Sequence, residues 1–245
     1  MRAAYAEQYA ALYNGHWWWR AREALVLDAL RALPLRADGE VLDVGCGDAL
    51  SFPILEQFGR VRGIEVDEDL LDADGPYRER VHSEPLGSSA YDDWRFDLIT
   101  ALDVIEHIED DRAAAGHIAR MLRPGGYLVL TVPAGPALWS SHDTNNHHYR
   151  RYRRAELRRL LDRDFTVVDL RFMFNALYLP KRAAAWIEKA GRRRHGEDHS
   201  LAQHQAFPRL LGAALRHYCV AEGRVARHLP VPFGSSLLAV AQRAP

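Results

Sequence analysis

Val41-Leu42-Asp43-Val44-Gly45-Cys46-Gly47-Asp48-Ala49 decides the fold. Four residues of strand character run straight into a glycine-rich turn, and the residues after it open a helix. Gly45 and Gly47 let the backbone approach a ligand closely. Glu65 comes 22 residues after Asp43, at the end of the next strand pattern, Arg62-Gly63-Ile64-Glu65-Val66. An acid at that place in a doubly wound sheet accepts both hydroxyls of a ribose. Gly-x-Gly alone also fits ordinary tight turns, and its pairing with the acid gives it content. A dinucleotide fingerprint would put a third glycine at position 50, where a diphosphate meets a helix start. This chain has Leu50 there, so a nucleoside without phosphates fits better.

Outward from this stretch, helix and strand periodicities alternate. Upstream, residues 5–33 are helical and aromatic-rich, with Trp17, Trp18 and Trp19 ahead of Leu25, Val26, Leu27 and Leu30, and Pro34 stops them. This predicts a helical cap over 1–36. Downstream, a helix through Ile54, Leu55 and Phe58 is followed by strands over 61–66, near Val81, and over 96–102. A helix carrying Ile118, Met121 and Leu122 ends in Arg123-Pro124-Gly125-Gly126, a turn signal that leads into a strand over 127–132. A polar loop over 133–151, a helix bearing Leu157, Leu160 and Leu161, and a strand over 165–172 follow. The alternation predicts an α/β chain with a mainly parallel sheet and helices on both faces.

The expected organisation is one domain over 1–245, with a nucleoside-binding core at 37–174, a helical insertion at 175–232 and a last strand at 233–245. The insertion is longer than a sheet connection needs. Phe207, Leu210, Leu211, Ala214, Leu215 and Tyr218 share one helical face in it, as expected of a helix packed on the core. A lid over the substrate or a membrane-surface contact are the alternatives. Arg192, Arg193 and Arg194 read as a solvated loop.

A length of 245 residues with 48% hydrophobic content suits one core plus a modest insertion. Thirty-two basic against 33 acidic residues leave a net charge of -1, which gives no global field toward nucleic acid or anionic lipid. Cys46 and Cys219 lack metal-ligand spacing and suit a reducing, cytoplasmic setting. The first residues lack an apolar signal core, and no run of about 18 apolar residues predicts a spanning helix. Peripheral membrane contact stays open.

Residues 41–133 resemble the class I S-adenosylmethionine-dependent methyltransferases. Asp43, Gly45 and Gly47 match that family's acid and alternating glycines, with Ala49 in the last glycine place. Residues 96–107, Phe-Asp-Leu-Ile-Thr-Ala-Leu-Asp-Val-Ile-Glu-His, resemble its fourth strand and exit loop, and Leu122-Arg123-Pro124-Gly125-Gly126 resembles the turn into its fifth. The resemblance implies a Rossmann-like methyltransferase sheet with an antiparallel last strand. It also implies S-adenosylmethionine as cofactor, Glu65 and Val66 at the ribose, and Glu84 and Leu86 at adenine. Asp103 sits where the carboxyl edge of such a sheet opens toward its ligand. Asp97, Glu106 and His107 have bland readings as a strand cap and a helix start.

The loop after the fifth strand, Trp139-Ser140-Ser141-His142-Asp143-Thr144-Asn145-Asn146-His147-His148-Tyr149-Arg150-Arg151-Tyr152, concentrates groups that move protons or hold anions. It resembles a subgroup in which a His-Asp pair precedes a His-x-Arg-Arg-Tyr block and the chain opens with a tryptophan-rich segment. The likeness extends to the segment over 229–237. Methyl transfer from a sulfonium needs a neutral or deprotonated nucleophile, so a histidine base is the natural assistant. The candidate catalytic residues are His142, Asp143 and His148, and ordering of the loop is the competing use of the first two. Arg150, Arg151 and Tyr152, with Trp18 from the cap, are the candidate substrate-binding residues, and the guanidinium forks suit an anionic acceptor. No metal is expected, because the spacing of His142, His147 and His148 does not define coordination.

These readings converge on a methyltransferase for a small molecule, oxygen being favoured over nitrogen or carbon. A nicotinamide oxidoreductase lacks its reaction centre: the only lysines are Lys181 and Lys189, and no Tyr-x-x-x-Lys pair exists. A non-catalytic nucleoside binder remains a rival. An RNA methyltransferase is disfavoured by the neutral charge and the lack of an appended RNA-binding motif.

Overall fold

The computed structural model describes residues 13–195 and 208–244. Among them, helix α1 (Trp17–Arg31) precedes β1 (Glu40–Val44), the short α2 (Phe52–Leu55), β2 (Arg60–Ile64), the two-residue β3 (Val81–His82) and β4 (Phe96–Leu102). Then come α3 (Asp111–Met121), β5 (Leu122–Pro133), α4 (Ser141–Asn145), α5 (Arg154–Leu161), β6 (Phe165–Met173), α6 (Tyr178–His195), α7 (Arg209–Ala226) and β7 (Ser236–Arg243).

The strands form one sheet in the order β3-β2-β1-β4-β5-β7-β6. β1 pairs parallel with β2 and β4, and β4 with β5. β7 runs antiparallel between β5 and β6, as the resemblance implies. The central strands are buried on both faces, which is why residues 41–44 and 128–132 are almost wholly apolar. One core layer gathers Ile99, Ile118, Leu130 and Leu157, and the opposite layer gathers Leu25, Phe52, Leu98 and Val129. Reversal of strand order on either side of β1 opens the carboxyl edge of β1 and β4, the place where such sheets bind ligands.

Three local expectations are corrected. Arg123-Pro124-Gly125-Gly126 does not precede β5 but bulges within it. Phe96 faces Leu122 and Leu98 faces Tyr127, so two steps on β4 answer five on β5, with Gly125 at φ 77°. Arg192, Arg193 and Arg194 lie in α6 rather than in a loop.

The third correction concerns the insertion. Leu210, Leu211 and Tyr218 are 87%, 49% and 55% exposed, and Phe207 lies outside the described residues. The packed face of α7 is instead Cys219, Gly223 and Ala226, three small residues against α1. A methyl group on Gly223 would come within 2.6 Å of Leu25 Cδ2. Close helix approach therefore selected small residues, and a search for large apolar residues finds the wrong face. Glu222 fixes the helix further by accepting from the Asn175 and Ala176 amides at 3.0 and 2.6 Å. Arg224 pairs with Asp28 of α1 at 2.7 Å.

Candidate active site

The loop after β1 carries left-handed backbone at three alternate positions, Gly45, Gly47 and Ala49, with φ of 68°, 53° and 56°. At Gly45 a side chain would lie 2.5 Å from Val104 Cγ2, so glycine there allows the loop to sit against the exit of β4. Glu65 closes the loop. One carboxylate oxygen accepts from the Gly47 amide and the other from the Asp67 amide, each at 2.9 Å. Burial holds its pKa above the usual glutamate value. Val66 beside it is exposed. Glu84 is exposed at the end of β3, where its carbonyl accepts from the Tyr91 hydroxyl at 2.8 Å, and Leu86 packs on the edge of the core.

Asp43 is turned inward. It accepts from the Ser51 and Thr100 hydroxyls at 2.5 and 2.6 Å, and burial pushes its carboxyl up to about 6. It joins the loop to α2 and β4.

Asp103, in left-handed conformation (φ 59°), forms an ion pair with Arg22 of α1. The buried Arg22 guanidinium lies 5.2 and 4.7 Å from the ring centres of Trp18 and Trp19, a cation–π arrangement. Trp18 stacks on Phe174 at 5.7 Å. The tryptophan segment thus holds the cap to the carboxyl edge of β4 through Arg22. Sequence reading missed Arg22, since an arginine among tryptophans carries no marker of the strand it will meet.

The second half of the site centres on Asp143, 0% exposed. Its Oδ1 receives His148 Nδ1 at 2.9 Å and Arg151 Nε at 2.8 Å, and Oδ2 receives the Ser140 amide at 2.9 Å. Burial alone would raise its pKa, but the His148 and Arg151 interactions outweigh that and bring it down to about 2. An ionised carboxylate only accepts, so the proton of a neutral His148 sits on Nδ1 and its Nε2 offers a lone pair. His142 lies 6.2 Å from His148 between ring centres and contacts Asn146 Nδ2 at 3.1 Å. His147 is exposed and points the chain through a left-handed turn.

The exit of β4 over residues 104–107 touches both halves. Val104 abuts Gly45, the Glu106 carbonyl accepts from the Tyr149 amide at 2.8 Å, and the His107 ring meets His148 edge-on at 4.6 Å. Burial and the neighbouring His148 lower the His107 pKa. The bland readings of Glu106 and His107 therefore understate their place.

Arg150 and Tyr152 take other partners. Arg150 pairs with Asp111 at 2.7 Å, and the buried Tyr152 hydroxyl donates to the same carboxylate at 2.8 Å. Both tie the loop to α3. Arg151 is buried and committed to Asp143 and the Ala134 carbonyl. Lys181 of α6, which the sequence offered only as evidence against another enzyme class, feels Arg151, Asp143 and Asp103. Lys181 is solvent-exposed on α6, and the neighbouring chain and Arg151 lower its ammonium pKa.

A family profile described as a methyltransferase domain matches residues 18–170. The chain belongs to this methyltransferase family. It is 25% identical over 170 residues to the ubiquinone biosynthesis O-methyltransferase of Coxiella burnetii, covering 62% of this chain and 63% of that protein. It is 30% identical over 149 residues to the enzyme of the same name from Xanthomonas oryzae pv. oryzae, covering 51% and 59%. The chain thus spans less than two thirds of the length of these relatives.

Among solved structures, a chain of the complex between the Haloferax volcanii Trm112 methyltransferase activator and a methyltransferase superposes with TM-score 0.59 at 17% identity, covering 100% of this chain and 98% of that one. A geranyl diphosphate methyltransferase in complex with S-adenosylmethionine gives 0.57 at 16%, covering 92% and 85%. These likenesses show the Rossmann-like methyltransferase fold. Among the described residues, no helix is long and apolar enough to cross a membrane.

Proposed function

We propose that this protein transfers the methyl group of S-adenosylmethionine to an oxygen of a small-molecule acceptor. The observation that carries the reading is the exit of β4 over residues 104–107, which abuts the glycine loop through Val104 and the Asp143–His148 pair through His107. A donor site and a proton-accepting site thereby share one wall.

The donor fits the first half by its charge. Glu65 at the loop, and Asp103 paired with Arg22 at the exit of β4, put carboxylates at the donor edge, which suits ribose hydroxyls and opposes a diphosphate. S-adenosylmethionine supplies an electrophilic methyl group when bound. Glu65 would exchange its backbone donors for the ribose hydroxyls, and Val66, Glu84 and Leu86 border the adenine side. Asp43 positions the loop from beneath. Asp103, held by Arg22, and Trp18 face the methionine end.

On the acceptor side His148 takes the hydroxyl proton on Nε2, while Asp143 fixes the ring and stabilises the imidazolium. His142 stands beside them as a second imidazole. An anionic group on the acceptor meets Lys181 rather than Arg150 or Tyr152. The names of the Coxiella and Xanthomonas relatives support oxygen as the acceptor atom, and the near-neutral charge supports a small molecule over nucleic acid.

The test is transfer of labelled methyl from S-adenosylmethionine to a panel of phenols, catechols and hydroxy acids, with Asp143→Asn alongside wild type. Turnover on a hydroxyl acceptor, cut at least about tenfold in the variant with donor affinity kept, supports the reading. Transfer confined to nitrogen or carbon acceptors, or unchanged by the substitution, sinks it.

A further inference from the structure

We propose that the outward faces of α6 and α7 dock on an anionic lipid surface. In α6, Leu179, Ala183, Trp186, Ile187 and Ala190 recur at the spacing of one helical face, and all five are exposed. Trp186 and Ile187 stand 72% and 63% open to solvent. The opposite side of the helix meets the protein: Ala185 is buried, and Glu188 accepts from the Ser141 amide at 2.8 Å. A helix packed on a core turns its apolar stripe inward, and α6 turns its stripe outward.

α7 repeats the arrangement independently. Cys219, Gly223 and Ala226 pack inward, while Leu210, Ala214, Tyr218, Ala221 and Val225 form an exposed stripe on the other side. Contiguous apolar surface left in water marks a face that meets a partner. Trp186 and Tyr218 suit a bilayer boundary, since each joins an apolar ring to one polar atom that reaches the headgroups.

Charge chooses the partner. Arg182, Lys189, Arg209 and Arg216 are exposed on these helices, and none of the four pairs with an acid among the described residues. Each helix has a single acid, and both acids are engaged inward: Glu188 at the Ser141 amide, Glu222 at the Asn175 and Ala176 amides. The outer faces are therefore apolar and cationic, although the whole chain carries a net charge of -1.

This composition separates the candidate occupants. Two copies of the chain meeting through these faces would bring like charges together, which opposes association. A nucleic acid would meet the cations but leave Trp186, Ile187 and Leu210 in water. An anionic bilayer takes both, because the stripes enter the acyl boundary while Arg182 and Lys189 reach back to the phosphates on their long stems. Glu188 hooks α6 to the head of α4, the helix that carries Asp143, so the docked helix is joined directly to the acceptor half of the site.

The test is co-sedimentation of the full chain with vesicles of phosphatidylcholine alone and of phosphatidylcholine mixed with phosphatidylglycerol, at low and high salt. Wild type, a Trp186→Ser/Ile187→Ser double variant, an Arg182→Glu/Lys189→Glu double variant and Val168→Ser are compared, with circular dichroism to check folding. Val168 is exposed on β6 and serves as the apolar control. Binding to the mixed vesicles that salt weakens, that falls at least about tenfold in both double variants and that Val168→Ser leaves unchanged is the expected result. No binding to the mixed vesicles, equal binding to both compositions, or binding indifferent to Trp186→Ser/Ile187→Ser overturns the proposal. Sedimentation equilibrium without lipid is the second arm, and a dimer that dissociates in that double variant assigns the face to a second copy and overturns it as well.

Discussion

The two halves of the site are built in different ways. The donor half is local: Gly45, Gly47 and Ala49 shape one loop, and Glu65 grips it two strand-lengths later by backbone hydrogen bonds. The acceptor half is assembled from the exit of β4, the loop after β5 and the heads of the helices around them, with Asp143 as its buried centre. A local device tolerates change elsewhere in the chain. A tertiary device fails when any contributor leaves.

Asp143→Ala should break this contrast most strongly. It strands the buried Arg151 and unpairs His148, and removing one partner of a buried ion pair costs about 3–5 kcal/mol. Urea unfolding at pH 7 measures it. The wild-type carboxyl sits at about 2, below its unfolded value, so its contribution is present above roughly pH 4 and is lost as pH falls through about 2. The variant should lack that acid-side loss, and an unchanged midpoint at pH 7 would contradict the account.

Asp43 in the donor half behaves oppositely. Burial raises its folded pKa to about 6, so the folded state holds the proton more tightly than the unfolded chain. Stability from this group is full below about pH 4 and falls as pH rises to about 6, by roughly 3 kcal/mol at most. Asp43→Asn should flatten that part of the stability–pH curve. Equal slopes for the two proteins between pH 4 and 6 would show that Asp43 is not buried as a proton-sensitive group.

Smaller effects sharpen the same comparison around the cap. Gly223→Val on α7 pushes into Leu25 and should cost about 1–3 kcal/mol by overpacking, lowering the midpoint of thermal unfolding. Leu210→Ser, on the exposed face of the same helix, should change stability by less than about 0.5 kcal/mol. A larger loss at Leu210 than at Gly223 would reinstate the face chosen from the sequence.

This contrast also explains what was legible. The succession of strands and helices along the chain, the glycine loop and Glu65 follow from runs of apolar residues and spacing within about 25 positions, whereas the antiparallel last strand came from the family resemblance. His142, Asp143 and His148 were visible by their resemblance to a known block, but that Asp143 holds His148 rather than its neighbour His142 became definite only in the fold, with Arg151 and Ser140 around the same carboxylate. Arg22, Glu106, His107 and Lys181 acquire significance only by contacts across distant segments, which no periodicity records. The packed face of α7 was misread because a glycine and a cysteine carry little hydrophobic signal, although small residues are what let two helices approach.

Calorimetric titration of the purified chain with S-adenosylmethionine and with NAD, repeated on Glu65→Ala, tests the central claim most directly. The account predicts binding of S-adenosylmethionine and not NAD, weakened at least about tenfold by the loss of the carboxylate that orders the loop and meets the ribose. Binding of NAD alone, or S-adenosylmethionine affinity untouched by Glu65→Ala, would contradict it.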